Sequence, residues 1–326
     1  MEQFAQKLML ATQEYAHDDR WRSWWYILTV YFSVIGMLVI ATLAPWWWAR
    51  AVASILAALI LVRGFILYHD FMHGSILRGS RLARVIMWIF GLFLLTPPLS
   101  WRKSHNCHHA NIGKTAFSHV GSFPVMSVEQ WRAAGCWQRM YYRFARSALN
   151  IGLAYLTIFA FSITLEPLLR NPRRHWDSLL SIAVHGGAIV ATWWFGGFWA
   201  PFFAVILPFG LASMIGAYLF YAQHNSPDIR LIPDEEWSFH RAALASSSYI
   251  RLGRILRWIT GDIGFHHVHH LNAGIPFYRL KEAMVGIEAI DASAVTSLMP
   301  RDILACLRLK LWDSRANRLV GFPTDA

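Results

Sequence analysis

"WWYILTVYFSVIGMLVIATLAPWWWARAVASILAALILVRGFILYHDFMH", residues 24–73, decides how this chain folds. A helix that crosses a bilayer needs about 20 mostly apolar residues. The stretch holds two such lengths, Trp24–Ala44 and Trp48–Tyr68, joined by "PWWWAR" (45–50), which is long enough only for a turn. Trp at such a turn suits the amphipathic boundary between lipid and water. The second apolar length runs straight into two histidines, His69 and His73, at helical spacing.

Two further segments qualify as crossings, Leu179–Trp199 and Pro201–Ala222, joined by the short "GGFWAP" (196–201). "VIMWIFGLFLLTPP" (85–98) is too short to span, and "NIGLAYLTIFAFSITLEPLL" (150–169) carries Glu166-Pro167, so both are read as helices lying in the interface or partly buried. Of the 30 Lys and Arg, only Arg50 falls in the two short turns and Arg63 within the second span. The rest lie in segments that four crossings put on one side, cytoplasmic by the positive-inside rule. A fifth crossing at 150–169 would separate the histidine-rich segments.

Composition agrees. The 326 residues are 56% hydrophobic and only 15% charged, too apolar for an ordinary soluble domain. The net charge of +11 has no Lys/Arg-rich run or aromatic-interleaved basic stripe behind it, so no nucleic-acid partner is expected. Cys107, Cys136 and Cys306 show no CxxC spacing and give neither a disulfide framework nor a zinc knuckle. No basic-then-apolar leader opens the chain, and no internal repeat is visible. The expected fold is an all-α integral membrane protein of four transmembrane helices with interfacial helices and a cytoplasmic histidine-rich cap. Residues 1–23 and 286–326 are read as cytoplasmic N- and C-terminal segments around a membrane domain at 24–285, with both termini cytoplasmic in a bacterial inner membrane.

Three histidine clusters fall on the basic side: "HDFMH" (69–73), "HNCHH" (105–109) and "HHVHH" (266–270). On a helix, positions i, i+3 and i+4 share a face, so each HxxHH aims three imidazoles one way. In a chain of this composition HxxxH arises by chance about 0.7 times but HxxHH only about 0.03 times, and here there are two. Imidazole is the commonest metal ligand. His69, His73, His105, His108, His109, His266, His269 and His270 exceed what one ion takes, so two adjacent ions are implied, and His224 in "YAQHNSPD" could add a ninth ligand. His267 lies about 100° around a helix from His266, off that face. His17, His119, His175 and His240 are read as solvated or local, and His185 as a partner of a neighbouring helix. Asp70, Asp262 and Asn272 are candidates to hold the far side of metal-bound rings, Asp262 only if it continues the helix of His266. No catalytic side chain beyond the ligands is expected.

"HDFMHGSI", "WRKSHNCHHANIG" and "GDIGFHHVHHLNAGIPFYRL" resemble the three histidine boxes of the membrane fatty-acid desaturases, the last being closest to bacterial acyl-lipid desaturases. The likeness covers roughly residues 40 to 285. It implies a four-span stem, a cap with two irons, and O2-dependent insertion of a cis double bond into a lipid-linked acyl chain drawn from the bilayer. One iron would take His69, His73, His105, His109 and His269, and the other His108, His224, His266 and His270. Where the acyl-CoA branch has an Asn one turn before the residue matching His224, this chain has Phe220. With no fused haem domain, electrons would come from a separate ferredoxin or small haem cytochrome.

Other readings give different observables. A di-iron hydroxylase, ketolase or acetylenase would share the boxes. A membrane haem electron carrier would pair histidines within spans and show a Soret band. A zinc hydrolase would need a carboxylate base.

Overall fold

The structure, a computed structural model, describes residues 2–114, 123–287, 290 and 294–323; His119 lies outside them. Helix α1 (Glu2–Gln13) precedes four helices long and apolar enough to cross a membrane. Two of these, α2 (Arg20–Leu43) and α3 (Trp47–His73), form the predicted hairpin. Between α3 and the second hairpin lie α4 (Arg81–Phe93) and α5 (Pro98–Ala110). The second hairpin is α6 (Trp176–Gly196) and α7 (Phe202–Gln223). A short helix, α8 (His266–Leu271), carries the last histidine cluster.

The starts and stops follow from local chemistry. The Asp19 carboxylate accepts from the Arg22 backbone N–H at 3.1 Å and caps α2. Helix α3 runs one turn past the purely apolar sequence and ends at Gly74, whose left-handed φ of 78° lets its N–H reach back to the Asp70 and Phe71 carbonyls. His69 and His73 therefore sit on the last two turns of a membrane helix, at its wet end. The tips of both hairpins bare Trp46, Trp47, Trp48, Trp194, Phe198 and Trp199, the interfacial belt expected of them.

The two doubtful apolar runs resolve differently. Residues 81–110 form a pair of helices bent by 89° around Leu94–Pro97, with Pro98 opening α5. The bend turns the chain from the apolar layer into the cap and carries the second histidine cluster with it. Gly91 permits the close approach of α4 to α3: a Cβ there would stand 2.6 Å from the Tyr68 ring. Residues 155–165 form a wide, π-type helix ahead of Pro167, as residues 202–206 do ahead of Pro208. Proline cannot donate to the preceding turn and its ring crowds that turn's carbonyl, so a widened turn before it is a natural accommodation.

Histidine and arginine inside the stem are accommodated. His185 Nδ1 donates to the Phe93 carbonyl at 2.8 Å and its Nε2 meets the Tyr155 hydroxyl at 2.6 Å. Arg63 donates to the Trp258 carbonyl and lies over the rings of Tyr26, Trp258 and Phe277.

The cap is tied together by short strands. β1 (Met126–Ser127), β4 (Leu311–Asp313) and β5 (Arg318–Val320) make one sheet, and β2 (Tyr249–Arg251) pairs in parallel with β3 (Val295–Ser297). The N-terminal segment is docked too: the Asp18 carboxylate accepts from the Leu77 N–H at 2.7 Å and from the Ser23 hydroxyl at 2.5 Å.

Candidate metal centre

Each histidine cluster rides on a helix that aims it inward. α3 delivers His69 and His73, α5 delivers His105, His108 and His109, and α8 delivers His266, His269 and His270; His224 follows α7 directly. The rings converge into two groups. His69, His73, His105, His109 and His269 form one, and His108, His224, His266 and His270 the other, with the ligand atoms of each group within 4.8 Å of one another.

The spacing is informative. In the first group His105 Nε2 lies 3.0 Å from His69 Nε2 and 3.1 Å from His109 Nε2, which is 3.2 Å from His269 Nε2. In the second, His224 Nε2 is 3.1 Å from His108 Nε2 and 2.9 Å from His266 Nε2, itself 3.0 Å from His270 Nε2. Nitrogens bound about 2.1 Å from one ion stand about 3.0 Å apart at right angles and about 3.4 Å apart at the tetrahedral angle. The contacts fall within the range that ligands of one shared ion would span.

Electrostatics agree. His224 Nδ1 donates to the Ser246 carbonyl at 3.1 Å, and His69 Nδ1 lies 3.1 Å from an Asp70 carboxylate oxygen. With those protons fixed on Nδ1, both Nε2 atoms present bare lone pairs to other nitrogens, an arrangement that a cation relieves. The buried His73 Nε2 has no hydrogen-bond partner among the described residues. Burial and then neighbouring imidazoles hold His105, His108, His109, His266, His269 and His270 well below the usual histidine range. Burial brings His224 down to about 4. All seven are thus neutral at physiological pH, the ligating form. The donor set and its buried lone pairs fit two metal ions.

His267, although on α8, belongs to neither group; its ring lies 6.2 Å from that of Tyr249. Of the three candidate supporting residues, Asp70 alone meets a site ring, and its other oxygen accepts from the Phe277 N–H at 2.7 Å. Asp262 does not continue α8: it and Gly261 both take left-handed φ of 54°, and its carboxylate pairs with Arg257 at 2.5 Å. Asn272 caps the end of α8, donating to Thr12 at 3.0 Å and accepting from Gly274 N–H at 2.9 Å. Two supports escaped sequence reasoning. The Ser246 carbonyl is invisible in a side-chain pattern, and Trp101, stacked on His105 at 4.5 Å, stands a turn before it. Phe220 packs its ring 5.2 Å from His108 and 5.3 Å from His224, so that position offers the second group no polar atom.

Because Asp70 fixes the proton on His69, Asp70→Asn should weaken metal retention by roughly 10–100-fold. Competition with a chelator measures it, and unchanged retention would remove Asp70 from this role.

Known proteins place the chain. Residues 45–300 match the family described as fatty acid desaturase. A fatty acid desaturase of Bacillus subtilis is 32% identical over 273 residues, covering 82% of this chain and 76% of the relative. An sn-1 oleoyl-lipid 12-desaturase of Synechocystis is 26% identical, covering 79% and 73%. An sn-1 acyl-lipid omega-3 desaturase (ferredoxin) of Nostoc is 24% identical, covering 69% and 64%. With three histidine-bearing helices brought to one point above four apolar spans, and with most of its length matched, this chain belongs to the fatty acid desaturase family.

Proposed function

We propose that the protein inserts a cis double bond into the acyl chain of a membrane lipid, using O2 at a pair of iron ions. The observation that carries this is the convergence of nine imidazoles into groups of five and four at one end of an apolar stem. The reaction consumes two hydrogens of a CH2–CH2 unit, one O2, two electrons and two protons, and yields CH=CH and two waters. Amino-acid side chains cannot oxidise an unactivated methylene, and bound iron supplies the reductive O2 chemistry this needs. His69, His73, His105, His109 and His269 would hold one ion and His108, His224, His266 and His270 the other. Asp70 and the Ser246 carbonyl keep His69 and His224 in the tautomer whose Nε2 is free to ligate.

The electron donor is a ferredoxin, in keeping with the Nostoc relative's name. The membrane is the bacterial inner membrane, with the histidines and both termini cytoplasmic. Since β1 and β4 pair, residues 126–127 and 311–312 share a side. A thiol reagent should therefore reach Cys136 and Ser314→Cys from the cytoplasm and Gly197→Cys from outside. Opposite reactivity of Cys136 and Ser314→Cys would defeat this topology.

Expression with a ferredoxin system in a bacterium of simple lipid profile, followed by fatty-acid mass spectrometry, tests the reaction. Chains two hydrogens lighter are expected. Chains one oxygen heavier would make the protein a hydroxylase, and an unchanged profile would remove acyl lipids as substrate.

A further inference from the structure

Seven of the nine grouped histidines are buried; His73 and His224 are the two that are half-buried. Each borders a cavity of different character. His224 faces a small space of about 50 Å³ whose lining includes Phe123, Phe220, Tyr221, Lys114 and Arg146. His73 lies on an open mouth of about 420 Å³, whose walls include Ser75, Arg20 and Arg78. The Nε2 of His73 is buried, so the exposed part of the residue faces away from the other rings. Its ring centroid is 4.6 Å from those of both His69 and His109. One side chain thus connects the cap surface with the five-histidine group.

The rim carries two arginines paired with no described acid. Arg20 and Arg78 are exposed, and neither forms an ion pair among the described residues. Arg20 donates to the Arg78 carbonyl at 3.2 Å, which holds the two residues together. Arg102, also exposed, lies on α5 one turn before His105. Asp18 also lines the mouth, its oxygens engaged by the Leu77 N–H and the Ser23 and Tyr278 hydroxyls, and Asp19, next to Arg20, accepts from the Arg22 N–H. Some other basic side chains of the cap are engaged, Arg139 and Arg143 over the Trp131 ring and Arg257 with Asp262, while Arg173 and Arg174 are exposed but border neither histidine group's cavity. Guanidinium groups with free donors recognise carboxylates in pairs of charge-assisted hydrogen bonds.

We propose that this mouth is where an acidic electron-donor protein docks, its surface carboxylates on Arg20 and Arg78 and its redox group facing His73. The inference rests on the reading that a separate carrier supplies the electrons. Each docking event passes one electron, oxidising the carrier and reducing one ferric ion, so two events serve each turnover. Complementary charge of this kind acts on encounter rate and weakens with salt.

The test uses the full-length iron-loaded protein in nanodiscs, with two donors in parallel, an acidic ferredoxin and an acidic small haem cytochrome. Binding is measured by biolayer interferometry, and anaerobic reduction of the iron by stopped-flow absorbance. Arg20→Glu/Arg78→Glu should bind the effective donor at least about tenfold more weakly at low salt and lose most of the salt dependence. Its iron content and its reduction by dithionite should stay unchanged. Arg173→Glu/Arg174→Glu, exposed before α6, is the control and should behave as wild type. If only the cytochrome shows the loss, the mouth stands and the ferredoxin reading falls. If the double variant binds and is reduced like wild type, or if the control shows the same loss, the mouth is not the docking site.

Discussion

His108→Ala and His270→Ala should each abolish product formation and lower the metal content from two ions per chain to one. Both side chains belong to the four-histidine group, in which His270 Nε2 lies 3.0 Å from His266 Nε2 and His108 Nε2 lies 3.1 Å from His224 Nε2. Removing either leaves three ligands there, while the five-histidine group keeps its full set. The loss in affinity should exceed the roughly 10–100-fold cost of deleting an outer partner, because a bond to the ion itself disappears. His267→Ala provides the contrast. It removes a neighbouring, fully buried imidazole from the same short helix but from neither group. Protein carrying that change should retain two ions. Metal analysis of iron-reconstituted protein, read beside the lipid product, decides: two ions in His108→Ala, or one in His267→Ala, would overturn the assignment. Zinc can occupy imidazole sites during overexpression, so the comparison belongs after reconstitution.

The sequence carried the stem because hydrophobic length is a strong signal. The structure begins α2 and α3 only four residues and one residue before the expected starts, and Asp19 and Gly74 set limits that length alone does not. That each box aims its imidazoles one way was legible because HxxHH on a helix has one face, and α5 and α8 are helical across their boxes; the division into five and four came from the family resemblance. Less legible was everything made by the path of the chain between boxes. The 89° bend around Leu94–Pro97 is announced by Pro-Pro as a break but not as a direction. Asp262 lies four residues before His266, and only the left-handed turn at 261–262 takes it off the ligand face. The Ser246 carbonyl supports His224 through backbone, which carries no residue code. The terminal segments likewise dock through contacts such as Asn272 to Thr12, far apart in sequence.

Trp101→Ala should unseat the five-histidine group without touching a ligand. Trp101 is buried where α5 crosses α3, its ring stacked on His105 at 4.5 Å and 17°, and 5.3 Å from Tyr68. Tyr68 is fixed in turn by its hydroxyl, which donates to the Thr96 carbonyl at 2.8 Å, and by Gly91, which leaves room for its ring. One aromatic stack therefore sets the distance between the first histidine box on α3 and the second on α5. Truncating a buried Trp costs about 3–5 kcal/mol through lost burial and the cavity left behind. Part of that cost should fall on the site, because His105 and His69 are free to separate once the wedge between their helices is gone. The expected result is a marked drop in thermal stability together with loss of one ion, and Trp101→Phe should restore much of both by refilling the space. The four-histidine group reaches His105 only at a ring distance of 6.0 Å, through His108, and should keep its ion. Thermal inactivation and metal content of the two variants measure these effects. A Trp101→Ala protein that is destabilised but still holds two ions and turns over normally would show that the boxes are positioned by their helices alone.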